Sequence, residues 1–404
     1  MLRADRWTVG VCAARIFLFA NFMTVAAVIP ILLEEWGISG AEAGAIVTAF
    51  TVSYAASLFV FAWAADWIGA RRAVEISAVA STLASAAFGL FARDWTSAVL
   101  LYGLVGLAQG GVYTPLIMLF AQRHDPVKRG TAMGWLIAST SVGYAGSLLL
   151  SGLALGFGGY RAAFLVTGFA PALGAAWLLY CLRDIENRVP PRTAGGGVWQ
   201  NVFGGRDARL LTIGYTAHCW ELLGSWAWLP SLLAAAFALG GAGMAAASQS
   251  SALTTGVMHL AGATASFAFG ALSDRLGRRA VLFGVATAAA ALSLSLGWVI
   301  WLPAGLFVAL ALVYTLLTIG DSPVLTTAIT EVTDPGRLGA VLAVRSLLGF
   351  GAGAIAPLAA GIAFDAATAM AWGPAAVWGW TFVVLGLGGV IAAFCALRLG
   401  PRPA

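Results

Sequence analysis

The sequence predicts an all-α integral membrane protein, with twelve transmembrane helices in two pseudo-symmetric six-helix bundles. Three observations predict it. Hydrophobic residues make up 60% of the 404-residue chain and charged residues only 10%, against about 25% charged residues in soluble domains. Twelve apolar segments are long enough to cross a bilayer. A short charged motif recurs at about half the chain length. A bilayer admits only helices or closed barrels, because backbone polar groups find no water there. A barrel would need in/out alternation over about ten residues, whereas Ala304 to Ile319 is apolar on every face.

Taken in order, the spans fall at 8–33, 40–64, 73–92, 96–120, 131–156 and 161–182, then 210–235, 246–271, 279–300, 303–327, 338–363 and 375–397. The first apolar run, Val9 to Leu33, is too long for a signal peptide and is expected to remain as a helix. Between the sixth and seventh spans lies the one long polar stretch. It holds Pro190, Pro191, Gly195, Gly196, Gly197 and several Arg, a composition that reads as a flexible linker. The expected division is 1–183 for the first bundle, 184–208 for the linker and 209–404 for the second bundle. Cys12, Cys181, Cys219 and Cys395 lie inside apolar runs without metal-type spacing, so they read as small core residues.

Orientation follows from the arginines, which mark cytoplasmic loops. With the N-terminus inside, eighteen basic residues fall in inner segments and only Arg93 and Arg161 in outer ones. Arg15 and Arg345 lie within spans. The net charge of +5 is therefore orientation signal and not a nucleic-acid footprint. Both termini are expected in the cytoplasm.

The recurring motif is Gly270-Ala271-Leu272-Ser273-Asp274-Arg275-Leu276-Gly277-Arg278-Arg279. A degraded copy runs from Ala62 to Arg72 and keeps Asp66 and Gly69, with Trp67 in place of the first Arg and the pair Arg71-Arg72 moved one place along. The two aspartates are 208 residues apart. Asp125-Pro126 matches Asp334-Pro335 at 209, Lys128 and Gly130 match Arg337 and Gly339, Pro115 matches Pro323 at 208, and Pro30 matches Pro230 at 200. Ordered anchors at half-chain spacing indicate a duplicated membrane protein.

The motif resembles the loop between helices 2 and 3 of the major facilitator superfamily of transporters, and its second copy the loop between helices 8 and 9. The resemblance covers the whole chain. It implies a carrier working by alternating access, with helices 1, 4, 7 and 10 around the solute path. It also implies a cytoplasmic gate built from Asp66, Arg71, Arg72, Asp274, Arg275, Arg278 and Arg279, where carboxylates meet helix N-termini and arginines.

Ionisable groups deep in a membrane are functional candidates. Arg15 lies about 12 Å into the first span at the rise of an α-helix, and Asn21 about 9 Å deeper. The repeat partner of Asn21, at the same offset as the prolines, is Glu221 in the seventh span. His218 and Glu221 are spaced i, i+3 and share a face. Histidine titrates near neutral pH, and apolar surroundings favour a neutral carboxyl, so the two form a candidate proton-coupling pair. Asp321, followed by Ser322-Pro323, is the second membrane carboxylate. It pairs with Arg345, or else Arg345 joins Arg15 in binding an anion. Gln109 and Tyr113 in the fourth span complete the resemblance-implied lining, and Trp220 is placed against a solute. Trp226 and Trp228 suit the interfacial belt. Gly106, Gly110, Gly349 and Gly353 have the small-xxx-small spacing of close helix packing.

No nucleotide loop or metal cluster is apparent, so neither an enzyme nor an ATP-driven pump is expected, and no cofactor or metal. The reading is a secondary transporter of the bacterial inner membrane, a monomer in lipid. Its partners are a small solute and protons, and nucleic acid is not among them. Two in-span arginines favour a small organic or inorganic anion. The alternatives are a proton-antiport exporter of hydrophobic or aromatic compounds, and a non-transporting receptor or scaffold.

Overall fold

The computed structural model describes residues 5–189, 205–333 and 338–400, with side chains omitted at 126–131 and 338–340. Most of the linker, including Arg192, lies outside the described residues. So do Asp334-Pro335 and Arg337, and the side chains of Lys128 and Arg129.

The described chain is helical: α1 Arg6–Leu18, α2 Thr24–Glu35, α3 Gly40–Ile68, α4 Ala70–Phe91, α5 Trp95–Gln109, α6 Thr114–Arg123, α7 Pro126–Leu182, α8 Arg206–Leu239, α9 Met244–Leu276, α10 Arg278–Leu296, α11 Ala304–Val332, α12 Leu338–Ala369 and α13 Pro374–Leu397. Among the described residues, ten helical stretches are long and apolar enough to cross a membrane. One of them carries two crossings, because α7 breaks at Gly158 and Gly159, where Gly159 takes φ +61°. The interrupted pair α1–α2 supplies the twelfth. Exposed Leu83, Phe157, Leu173 and Phe267 are at home in lipid, where apolar side chains need no burial.

Two departures from the sequence expectation concern the element ends. The motif aspartates sit inside helices, and the turn is reduced to one glycine: α3 passes to α4 at Gly69 (φ +87°) and α9 to α10 at Gly277 (φ +88°). A left-handed φ costs glycine nothing, so one residue reverses the chain and the helix continues beyond its apolar part. The first span is not continuous. Helix α1 ends at Leu18, and residues 19–23 turn before α2. Neither Pro nor Gly occurs there.

The chain forms two compact units. Unit 1 contains residues 1–38, 49–193 and 248–259; unit 2 contains 39–48, 194–247 and 260–404. Within unit 1, Gly106 and Gly110 face the backbone of α3 at Phe50 and Ser57, and the Gly110 N–H donates to Ser57 Oγ at 2.9 Å. Within unit 2, Gly349 lies against Tyr215, and Gly353 against the Cys219 carbonyl. Small residues allow this approach where helices meet in lipid. Gly353→Val forces α12 off α8 and is expected to cost about 1–3 kcal/mol, read as a lower midpoint of thermal unfolding in detergent. Also in unit 2, Asp365 Oδ1 and Oδ2 accept the Gly40 and Ala41 N–H groups at 2.6 and 2.8 Å, capping the first turn of α3 with a negative charge.

The turn at Asp94 is a capping box. The Asp94 side chain accepts the Ser97 N–H at 2.8 Å, and Ser97 Oγ accepts the Asp94 N–H at 3.1 Å. That backbone hydrogen bond holds the Asp94 carboxyl below the usual carboxylate range.

Candidate functional site

In unit 1 the site is built around the break between α1 and α2. A turn in mid-membrane frees backbone groups that must be satisfied within the protein. Gln109 Nε2 donates to the Leu18 carbonyl at 2.6 Å, and Tyr102 OH lies 3.0 and 2.8 Å from the carbonyls of Asn21 and Phe22. The Met23 N–H donates to Ser147 Oγ at 2.9 Å. Asn21 Nδ2 donates to Ser85 Oγ at 2.5 Å, and its Oδ1 lies 3.3 Å from Gln109 Nε2. Asn21 and Gln109 are fully buried and serve this break, and Gln109 Oε1 keeps acceptor capacity.

Arg15 stands in the last turn of α1, also fully buried. Its Nε donates to the Val112 carbonyl at 3.1 Å, and Nη1 to the Leu136 carbonyl at 2.5 Å and Ser139 Oγ at 3.3 Å. The guanidinium lies 5.0 Å from the ring centres of both Phe19 and Tyr113. Val112 ends a three-residue 3₁₀ turn, and Tyr113 has φ −114° and ψ −79° before α6 restarts at Thr114-Pro115. The fourth span is therefore interrupted where it meets Arg15. Every partner of Arg15 is neutral, and Nη2 has no hydrogen-bond partner. Among the described residues no ion pair includes Arg15.

In unit 2 the polar residues group differently from the sequence expectation. His218 does not pair with Glu221. Its Nδ1 lies 3.0 Å from Asp321 Oδ1, and its Nε2 lies 2.8 Å from Ser322 Oγ. The Asp321 contact lacks hydrogen-bond alignment, and Oδ1 keeps its acceptor capacity. Glu221 turns toward the bundle interior. Its Oε1 lies 3.3 Å from Tyr314 OH, which lies 3.2 Å from Ser293 Oγ, and Gly389 leaves room for its other oxygen. The i, i+3 spacing put the two side chains on one helix face, but that face spans enough arc to serve two different neighbours.

Arg345 does not form the expected pair with Asp321. Its guanidinium stacks 3.5 Å from the Tyr215 ring centre, its Nη1 and Nη2 lie 3.4 and 3.3 Å from Thr326 Oγ1, and Nε is unpartnered. Trp220 Nε1 donates to the Val384 carbonyl at 2.9 Å, which turns its indole toward α13. Trp228 is fully buried, donates to the Pro357 carbonyl at 2.9 Å and stacks on Phe364, so it is a core residue and not part of an interfacial belt. Tyr215 was legible as the residue one turn before His218. Tyr314 was legible as two turns before Asp321, but an all-apolar run gives its hydroxyl no weight.

The two motif copies are held differently. In the first, Asn187 Nδ2 donates to the Ile68 carbonyl at 2.7 Å, and Arg71 reaches the Ile185 carbonyl at 2.5 Å and Glu75 at 2.7 Å. The Arg72 N–H lies 3.3 Å from Asn187 Oδ1. Asp66 is exposed. In the second, Arg278 bridges Asp274 at 2.6 Å and Glu331 at 3.0 Å, with a further contact to Ser273 Oγ. Arg275 and Arg279 are exposed.

Residues 11–320 match the sequence profile described as Major Facilitator Superfamily. The chain belongs to the Major Facilitator Superfamily. It resembles the crystal structure of a D-xylose-proton symporter with a TM-score of 0.77 and 14% identity, over 99% of each chain. It is 27% identical over 266 residues to the probable 4-methylmuconolactone transporter of Cupriavidus pinatubonensis, covering 63% of this chain and 59% of the relative. It is 24% identical over 291 residues to the probable sulfoacetate transporter SauU of Cupriavidus necator, covering 66% and 64%. The matches therefore span about three fifths of these relatives' lengths. The multi-helical fold described above is that of the superfamily.

Proposed function

We propose that this chain moves a small organic anion, recognised by Arg15, and couples that movement to protons through His218 and Asp321. The observation that carries the reading is Arg15: a fully buried guanidinium whose partners are all neutral, with Nη2 free. A cation in a low-dielectric site without a counter-charge is costly. A carboxylate or sulfonate supplies that charge, and the planar fork of arginine fits it. The faces of Phe19 and Tyr113 hold the guanidinium in place by cation–π attraction. The similarity to a protein named for sulfoacetate points the same way.

For coupling, Asp321 is favoured over Glu221 because it touches His218. With one proton shared by His218 and Asp321 the pair is neutral overall. Removing it leaves a buried carboxylate with only the more distant Arg345 to offset its charge, which is costly. A proton on the pair and a charged solute nearby are thus energetically linked. Arg345 beside them lends a second positive charge in unit 2.

The test of recognition is a thermal-shift screen of the purified protein with sulfoacetate, simple carboxylates, cations and neutral sugars. A ligand that binds only the folded state raises its stability by mass action. Anions are expected to raise the unfolding midpoint, whereas stabilisation by cations or sugars alone would remove the anion reading.

We also place both termini in the cytoplasm, in a bacterial inner membrane, with the motif arginines at the inner face. The exposed Asp66, Arg72, Arg275 and Arg279 are then the motif groups left for a cytoplasmic latch. Single cysteines at Arg188 and Asp365 are expected to react with impermeant maleimide from opposite sides of the membrane. Labelling of both from one side contradicts this topology.

A further inference from the structure

Inside unit 2, among α8, α10, α11 and α13, lies a void of about 10 Å³. Leu211, Gly214, Leu282, Leu325, Cys395 and Leu399 bound it, and Asp321 is the one carboxylate in its wall. Toward the Gly277 end of the same bundle is a larger cavity of about 670 Å³. Asp207, Arg278, Arg279 and Glu331 supply its polar lining, and Leu211 and Leu399 again form part of its wall. Leu211 and Leu399, both nearly buried, are shared by the two walls. The void has the volume of about one water molecule. A buried water needs two or more polar partners; Asp321 and the Cys395 thiol are the polar side chains in the wall.

We propose that Asp321 exchanges its proton with the aqueous phase through the interior of unit 2, past Leu211 and Leu399, by a route separate from that of the solute. This rests on the reading of His218–Asp321 as the coupling pair. Asp321 touches His218 and also bounds the void. A single water there takes the carboxyl proton, and a movement of Leu211 or Leu399 connects it to the cavity below. Asp207 and Glu331 at the cavity wall give the departing hydronium negative charge to move toward, while Arg278 anchors Glu331. The titratable and charged groups around Asp321 are His218, Cys219 and Glu221 from α8, Arg345 from α12 and Cys395 across the void from α13. The α10 residues of the void wall, Leu282 and Ala286, carry no such group. Cys395 is a native thiol in the wall of the proposed path.

The experiment follows the carboxyl stretch of Asp321 by infrared difference spectroscopy after a pH jump on the reconstituted full-length protein, with Asp321→Asn identifying the band. Leu211→Phe and Leu399→Phe fill the separating layer and are expected to slow the change of that band by about tenfold, a barrier increase of about 1.4 kcal/mol. Unchanged kinetics in folded plugged variants overturn the path while leaving the coupling pair intact. If those variants fail to fold, mercuric ion on the wild type gives the same decision. It is expected to bind Cys395 and slow the band, and Cys395→Ser is expected to be immune. Equal kinetics with and without mercuric ion overturn the path. If no Asp321 band responds to pH at all, the coupling reading itself falls, and the path with it.

Discussion

Asp321→Asn is expected to abolish pH-driven accumulation while leaving exchange between equal solute pools within about twofold of wild type. Asparagine keeps the shape of the side chain and removes its ability to load and release a proton. A carrier with one proton per solute accumulates about tenfold per pH unit, since one unit is about 1.4 kcal/mol. The variant should reach a ratio near one, whatever the gradient. His218→Gln should shift the pH dependence of uptake, because the neighbour 3.0 Å from Asp321 then carries no charge at any pH. Glu221→Gln should leave coupling intact, since Glu221 is hydrogen-bonded inside the bundle to Tyr314. Accumulation by Asp321→Asn together with its loss in Glu221→Gln would move the coupling site to Glu221. Proteoliposome uptake with and without an imposed gradient, compared with counterflow, separates these cases.

Arg15→Gln is expected to weaken anion binding by on the order of 100-fold, about 3 kcal/mol, as when one partner of a buried charge pair is removed. Its effect on the empty protein should have the opposite sign. An unneutralised buried guanidinium costs stability, so the variant should unfold at a higher temperature than wild type without anion, and gain nothing when anion is added. This separates a recognition residue from a brace. If Arg15 serves only to tie Val112 to Leu136, losing its hydrogen bonds should lower the unfolding midpoint. Arg15→Lys keeps the charge and loses the fork, and should recover little of the binding.

The helical membrane fold was legible in the sequence because lipid imposes a length and an apolarity that few other environments tolerate. The repeat was legible because Gly69 and Gly277 hold the same left-handed turn, which no other residue adopts as freely. The break at 19–23 was not. It depends on Tyr102 and Gln109, roughly eighty to ninety residues away, offering hydrogen bonds to carbonyls that the local sequence gives no reason to free. The grouping of His218 with Asp321 was hidden for a related reason. Helical spacing tells which residues share a face, whereas the choice of partner across a helix interface depends on rotation and rotamer. Arg345 shows the same limit: charge alone suggested Asp321, and the structure gives it the Tyr215 ring and Thr326. The small-residue pattern of Gly349 and Gly353 was read correctly as close packing because sterics leave it few other uses.

Uptake of radiolabelled sulfoacetate and simple carboxylates into proteoliposomes containing only this protein, driven solely by a pH gradient, tests the central claim most directly. The account predicts that at least one such anion accumulates above its equilibrium level, and that Arg15→Gln does not accumulate it. Gradient-driven accumulation of neutral or cationic solutes alone, with Arg15→Gln as active as wild type, would contradict it.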